Sequence, residues 1–185
     1  MRNIILTEKE IKSIIKKLGK ELTNKFKNDE LPPVFIGVLK GALPFMVDLI
    51  KEVKCPLLID FIQVKSYIGT ESTGVITLKK DITEDITNRN IVIIEDIADS
   101  GHTLVWLKKY LSTTYKPKNI YTCALLDKKC KRKVDFELDY AGTEIGDYFL
   151  VGYGLDFDEI ERNTKYIFIP DEEEIKALAE LAHRK

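Results

Sequence analysis

The chain has no excess charge of either sign: 29 basic residues stand against 30 acidic ones, for a net charge of −1. No global field therefore advertises DNA, RNA or an anionic membrane as a partner, and any phosphate binding has to be local. Cysteine is scarce. Cys55, Cys123 and Cys130 make an odd count, at spacings that fit neither a disulfide framework nor a zinc site, and read as reduced thiols in a cytoplasm. Long apolar runs are missing too. Ile4, Ile5 and Leu6 are too short a stretch for a signal peptide, and nothing approaches the roughly 18 residues of a membrane span, so a soluble cytoplasmic protein is expected. Internal repeats, low-complexity tracts and linkers are absent as well. A length of 185 residues with 44% hydrophobic content suits one domain, 1–185.

What is present alternates between two periodicities. Thr7 to Glu10 has the form of a capping box, and Ile11, Ile14, Ile15, Leu18, Leu22 and Phe26 follow at helical spacing. After Pro32 and Pro33, the apolar run Val34 to Leu39 predicts a strand buried on both faces, with a helical segment Phe45 to Val53 behind it. Leu57 to Val64 predicts another strand. Lys65 to Gly74 is polar, holds two glycines and lacks periodicity, so it reads as a long mobile loop leading to a strand near Val75 to Leu78. Ile91 to Ile94 is the most strand-like run, and a helical stretch Leu104 to Leu111 follows. Ile120 to Leu126, Tyr148 to Gly152 and Tyr166 to Ile169 predict later strands, and Asp171 to Glu174 opens a final helix with carboxylates where the helix dipole favours them. The alternation predicts an α/β domain with a mainly parallel twisted sheet flanked by helices, and ligands at the carboxyl ends of its strands.

The informative stretch lies between Ile94 and Leu104. Glu95, Asp96 and Asp99 place three carboxylates within five residues after a buried strand, and their mutual repulsion calls for a cation or hydrogen-bond donors. Ser100, Gly101, His102 and Thr103 sit where a helix should begin, offering free N–H groups, two hydroxyls and the positive end of a helix dipole to an anion. A ligand with a phosphate at one end and vicinal hydroxyls at the other satisfies both halves, and ribose 5-phosphate has that shape. The plain alternative is that Asp99 and Ser100 cap the helix and the other acids are solvated. Other phosphate motifs fail: there is no Gly-x-x-x-x-Gly-Lys-Ser/Thr, and Gly152-Tyr153-Gly154 lacks the third glycine of a dinucleotide fingerprint.

The string Ile93 to Thr103 resembles the phosphoribosyl diphosphate signature of type I phosphoribosyltransferases. Gly37 to Ala42, Lys65 to Tyr67 with Ser72 to Gly74, Leu125 to Lys128, and Asp147 to Asp156 through Arg162 match that family in order; the segment Phe149 to Asp156 is similar to its 6-oxopurine branch. The resemblance implies the fold of that family, with a small hood built from the terminal segments. It also implies a homodimer or homotetramer acting on phosphoribosyl diphosphate and a 6-oxopurine base, with release of diphosphate, and no nucleic-acid or membrane partner. Glu95 and Asp96 would hold the ribose hydroxyls, and Asp99 to Thr103, with Ser100, Gly101 and His102 between them, would cradle the 5-phosphate. Asp99 would also act as base or acid at purine N7. Lys128 would approach the 6-oxo group and stabilise charge there. Phe149 would stack on the purine, and the Leu150 backbone would read its edge. Magnesium would be held by Asp156, Glu95 and Asp96, directly or through water and ligand. Arg162 would clamp the diphosphate. Leu39, Lys40 and Gly41 match a diphosphate-contacting loop, and Ser66 and Tyr67 would close over the site.

Outside the match, plainer readings hold. His102 serves as a supplementary donor or surface residue, His183 faces solvent, Trp106 and Tyr110 pack together at helical spacing, and the basic run Lys128 to Lys133 reads as a solvated loop. A sugar-phosphate sensor that controls nucleic acid is the alternative of another class. Asp99, Lys128, Phe149, Asp156 and Arg162 together argue against it, because a sensor has no need of the base-side residues.

Overall fold

The computed structural model describes residues 2–67 and 75–183, and of Ser66, Tyr67 and Val75 the backbone alone. The chain runs through β1 (Asn3–Leu6), α1 (Glu8–Phe26), β2 (Val34–Leu39), α2 (Leu43–Glu52), β3 (Leu58–Tyr67) and β4 (Val75–Lys80). It continues through β5 (Asn90–Ala98), α3 (His102–Thr114), β6 (Asn119–Asp127), a 3₁₀ turn at Lys129–Lys131, β7 (Tyr140–Glu144), β8 (Ile167–Ile169) and α4 (Glu172–Ala182).

Six strands form one sheet in the order β4-β3-β2-β5-β6-β7. All neighbours run parallel except β3 with β4. The apolar runs explain the centre of this sheet. Successive side chains of a strand point to opposite faces, so β5 feeds two cores at once. Val92 and Ile94 join Ile15, Leu18, Phe35 and Phe45 under α1 and α2, whereas Ile91 and Ile93 join Ile36, Leu104 and Leu107 under α3. Each such side chain contributes about 1.5–3 kcal/mol by leaving water. α1 starts where its capping box predicts: the Thr7 hydroxyl accepts the Glu10 N–H, and the Glu10 carboxylate accepts the Thr7 N–H at 2.8 Å. α4 repeats the device with Asp171 and Glu174.

A second sheet pairs β1 with β8, antiparallel, and forms the hood built from terminal segments. Arg2 ties this hood to the long preceding loop through Glu161 at 2.8 Å and to α4 through Glu174 at 3.2 Å. No helix among the described residues is long and apolar enough to cross a membrane.

Three expectations change. β5 does not stop at Ile94; its ladder with β6 continues through Glu95↔Ala124 and Ile97↔Leu126 to Ala98↔Asp127, so Glu95 and Asp96 belong to the strand. Pairing to a buried neighbour overrides the low strand propensity of acids. Tyr148 to Gly152 is no strand: Val151 alone bridges to Phe168, because this segment leaves the large sheet to reach the hood. β3 continues past Val64 to Tyr67, where a loop was expected to begin. The short strands β1 and β7 carry too little pattern to be read from sequence.

Candidate active site

The carboxyl ends of β2, β5 and β6 meet along one edge of the sheet. At the end of β2 the Leu39–Lys40 peptide bond is cis, and Gly41 follows it. A Cβ on Gly41 would lie 1.9 Å from Asp96 Oδ2, so only glycine lets this turn approach the acidic end of β5. Across the turn, a Cβ on Gly154 would lie 2.1 Å from the Gly41 carbonyl oxygen. The segment after β2 is thus held between the β5 acids and the loop that leads to the hood.

Glu95 and Asp96 are both held above the ordinary carboxylate range. For Glu95, burial and then the Asp96 charge push it well upward. For Asp96, burial outweighs the Ile97 N–H that it accepts at 2.9 Å; Arg162 lowers its pKa and Asp156 raises it. Among the described residues Glu95 meets nothing that favours its charge, and the donor and cation that meet Asp96 do not outweigh its burial.

The turn that follows leads from β5 into α3. Asp99 is exposed, Gly101 takes φ +87° as the N-cap of α3, and no side chain caps that helix. Asp99 therefore does not cap the helix, and Ser100 makes only one long contact with its first N–H. Among the described residues no protein acceptor meets the N–H groups of Asp99, Ser100 or Gly101, while the His102 N–H reaches Ser100 Oγ at 3.4 Å. His102 is exposed and Thr103 half-buried, both in the first turn of α3. α3 directs the positive end of its dipole to this turn.

Two residues separate the site from a generic sugar-phosphate pocket. Lys128, just past β6, is 8% exposed, and its ammonium donates to the Tyr148 carbonyl at 2.8 Å and lies 3.4 Å from Asp147 Oδ1. It is not a solvated member of the basic run. Phe149 is 54% exposed and meets Phe157 edge-on with ring centroids 6.0 Å apart. Leu150 beside it is buried.

Asp156 and Arg162 face each other. Asp156 Oδ1 pairs with Arg162 Nη2 at 2.9 Å, and Oδ2 accepts the Glu159 N–H at 2.8 Å. Arg162 also donates to the Gly154 carbonyl at 2.7 Å and lies 3.4 Å from Glu159, while its buried Nε has no partner among the described residues. Lys40 joins this network through Glu159 at 2.8 Å. Sequence reasoning missed Glu159 and Asp147: both lie inside the matched segment, but a surface acid shows its partner only when the chain folds back. Ser66 and Tyr67 carry a backbone description alone, and Ser72 to Gly74 lie outside the described residues.

Among the described residues no three His, Cys, Asp or Glu side chains form a metal cage, so Glu95, Asp96 and Asp156 are not a ready-made triad. The donor set still suits magnesium, which takes one or two carboxylates and completes its shell with phosphate oxygens and water. The carboxylate of Asp96, held above its ordinary range by burial, and that of Asp156, close enough to act on it, match that need.

A family profile described as a phosphoribosyl transferase domain matches residues 1–158. The chain belongs to the phosphoribosyltransferase family. A hypoxanthine-guanine phosphoribosyltransferase of Staphylococcus epidermidis is 43% identical over 168 residues, which are 90% of this chain and 92% of that one. A solved hypoxanthine phosphoribosyltransferase from Staphylococcus aureus superposes with a TM-score of 0.87 at 42% identity, covering 94% of this chain and 93% of its own. The corresponding enzyme of Trypanosoma cruzi gives 0.88 at 34% identity, over 97% and 96%. The mainly parallel sheet with its flanking helices is the type I fold of this family.

Proposed function

We propose that this chain is a purine-salvage transferase that moves the 5-phosphoribosyl group of phosphoribosyl diphosphate to N9 of hypoxanthine, and of guanine, releasing diphosphate. The observation that carries the base specificity is the buried Lys128 ammonium, which donates to the carbonyl of Tyr148, the residue before the exposed Phe149. A cation for the 6-oxo group and an aromatic face for the purine plane stand together at the carboxyl end of the sheet.

The roles follow from the chemistry. Glu95 and Asp96 accept hydrogen bonds from the ribose hydroxyls, and the open N–H groups of Asp99 to Thr103 hold the 5-phosphate. Phe149 stacks on the base, the Leu150 backbone reads its edge, and Lys128 stabilises charge on the 6-oxo oxygen. As the C1–N9 bond forms, the C1–O bond breaks and diphosphate leaves with the electron pair. Asp99 exchanges the proton at N7. Leu39 to Gly41 and Arg162 orient the diphosphate, and the segment beginning at Ser66 and Tyr67 excludes water that would intercept the cationic sugar. Asp156 and the acids of β5 would hold magnesium, which would supply positive charge to the leaving diphosphate. The reading includes a homodimer or homotetramer in the cytoplasm, which suits three free thiols.

Incubation with magnesium, phosphoribosyl diphosphate and hypoxanthine should yield inosine monophosphate and diphosphate, followed by absorbance. Absence of nucleotide with hypoxanthine and guanine alike would sink the reading.

A further inference from the structure

We infer that Arg132 is a positioning residue that holds the turn Asp99 to Gly101 with its N–H groups facing the phosphate, an inference that rests on the function proposed above.

Three consecutive carbonyls of that turn are taken by one segment. The Lys128 N–H donates to the Ala98 oxygen at 2.9 Å, and the Lys133 N–H donates to the Ser100 oxygen at 3.0 Å. Arg132 Nη1 completes the set, donating to Ala98 at 3.1 Å and to Asp99 at 2.7 Å. The peptide bonds concerned are trans, since the one cis bond among the described residues joins Leu39 and Lys40. In a trans peptide the C=O of one residue and the N–H of the next point in opposite directions. Carbonyls drawn toward 128–133 therefore turn the N–H groups of Asp99, Ser100 and Gly101 the other way, where no acceptor among the described residues meets them.

Arg132 is fixed in turn. Its Nη2 pairs with Asp127, whose side chain is 3% exposed, and its guanidinium stands 5.4 Å over the Phe136 ring. A planar fork with several donors can bridge two carbonyls and a carboxylate at once, which a lysine ammonium cannot do in the same geometry. The turn lies directly against this segment: a Cβ on Gly101 would come within 2.8 Å of Val134 Cγ2 and 3.1 Å of Arg132 Cδ. Two other cations of the basic run are paired elsewhere, Lys129 with Glu144 at 3.2 Å and Lys131 with Asp147 at 2.6 Å. The run thus braces the site from behind.

The test is calorimetry on the whole chain and on Arg132→Lys and Arg132→Ala, titrated with inosine monophosphate and separately with magnesium diphosphate, which occupies the far end of the site. Both variants should bind the mononucleotide roughly tenfold or more weakly, as expected for lost charge-assisted hydrogen bonds that orient a phosphate cradle. Diphosphate affinity should stay within about twofold, because that end keeps its own contacts. Ethylguanidinium added to Arg132→Ala should restore mononucleotide affinity. Equal loss of both affinities, or no loss of either, overturns the role of Arg132. Should the alanine chain not fold, the same two affinities of the lysine variant decide the matter. A wild-type chain that ignores inosine monophosphate would instead overturn the underlying function.

Discussion

Backbone N–H groups converge in two regions of this molecule, and the two are treated oppositely. Asp60 on β3 is 6% exposed and accepts the N–H groups of Phe61 at 2.6 Å, Thr83, and Glu84 at 2.8 Å. Burial opposes its ionisation, yet those donors, with Lys80 alongside, hold its pKa below the ordinary carboxylate value. The turn Asp99 to Gly101 presents a similar set of N–H groups and receives no internal anion. Its neighbours Glu95 and Asp96 are pushed the other way, above the ordinary value. A fold satisfies converging donors internally where nothing external is to bind, and leaves them open where a ligand supplies the charge.

Substitutions that separate catalysis from stability sharpen this contrast. The largest effect should come from Asp99→Asn, with turnover lowered by a factor of ~10² to 10⁴ and inosine monophosphate affinity nearly kept, as for loss of an acid/base group. Steady-state kinetics beside calorimetry checks it, and unchanged turnover removes Asp99 from the chemistry. Asp60→Ala should do the reverse. Leaving three converging N–H groups without their buried acceptor should cost about 1–3 kcal/mol in denaturant unfolding while turnover stays as it was. The folded-state pKa of Asp60 is depressed, so its stabilisation is complete above the unfolded carboxylate value and disappears as pH falls through the folded one. Asp60→Ala should accordingly lose less stability between neutral and acid pH than the wild type, and an identical acid limb would contradict the assignment.

Gly101→Ala comes next. A non-glycine residue at φ +87°, with its Cβ 2.8 Å from Val134, should lower stability by about 1–2 kcal/mol and weaken mononucleotide binding more than diphosphate binding. Uniform weakening would move the phosphate away from this turn. The smallest effect belongs to a closed helix start. Thr7→Ala removes the cap of α1 and should cost ~1 kcal/mol in thermal unfolding with no change in KM for either substrate.

Much of this contrast is legible in the sequence, and the illegible part has a common cause. The capping boxes at Thr7 and Asp171, the runs Val34–Leu39 and Ile91–Ile94, and the acid-rich signature all announce themselves locally. The stacked Trp106 and Tyr110, with centroids 5.1 Å apart, follow from helical spacing alone. The extent of β5 through Ala98 does not, because acids in a strand are tolerated only when a partner strand is known. Arg132 is indistinguishable in sequence from the lysines beside it, and Lys128 from a solvated one.

By itself the sequence determined the helix starts, the buried strands and the chemical nature of the acidic turn, since each depends on residues within one or two turns of one another. Only the tertiary structure decided that Gly41 would meet Asp96, that Lys128 would be buried against Tyr148, and that Arg132 would donate to the carbonyls of Ala98 and Asp99. Those contacts join β2 to β5 and β6 to the loop toward the hood. They depend on strand order, and strand order is set by how the apolar faces of the whole chain are buried together.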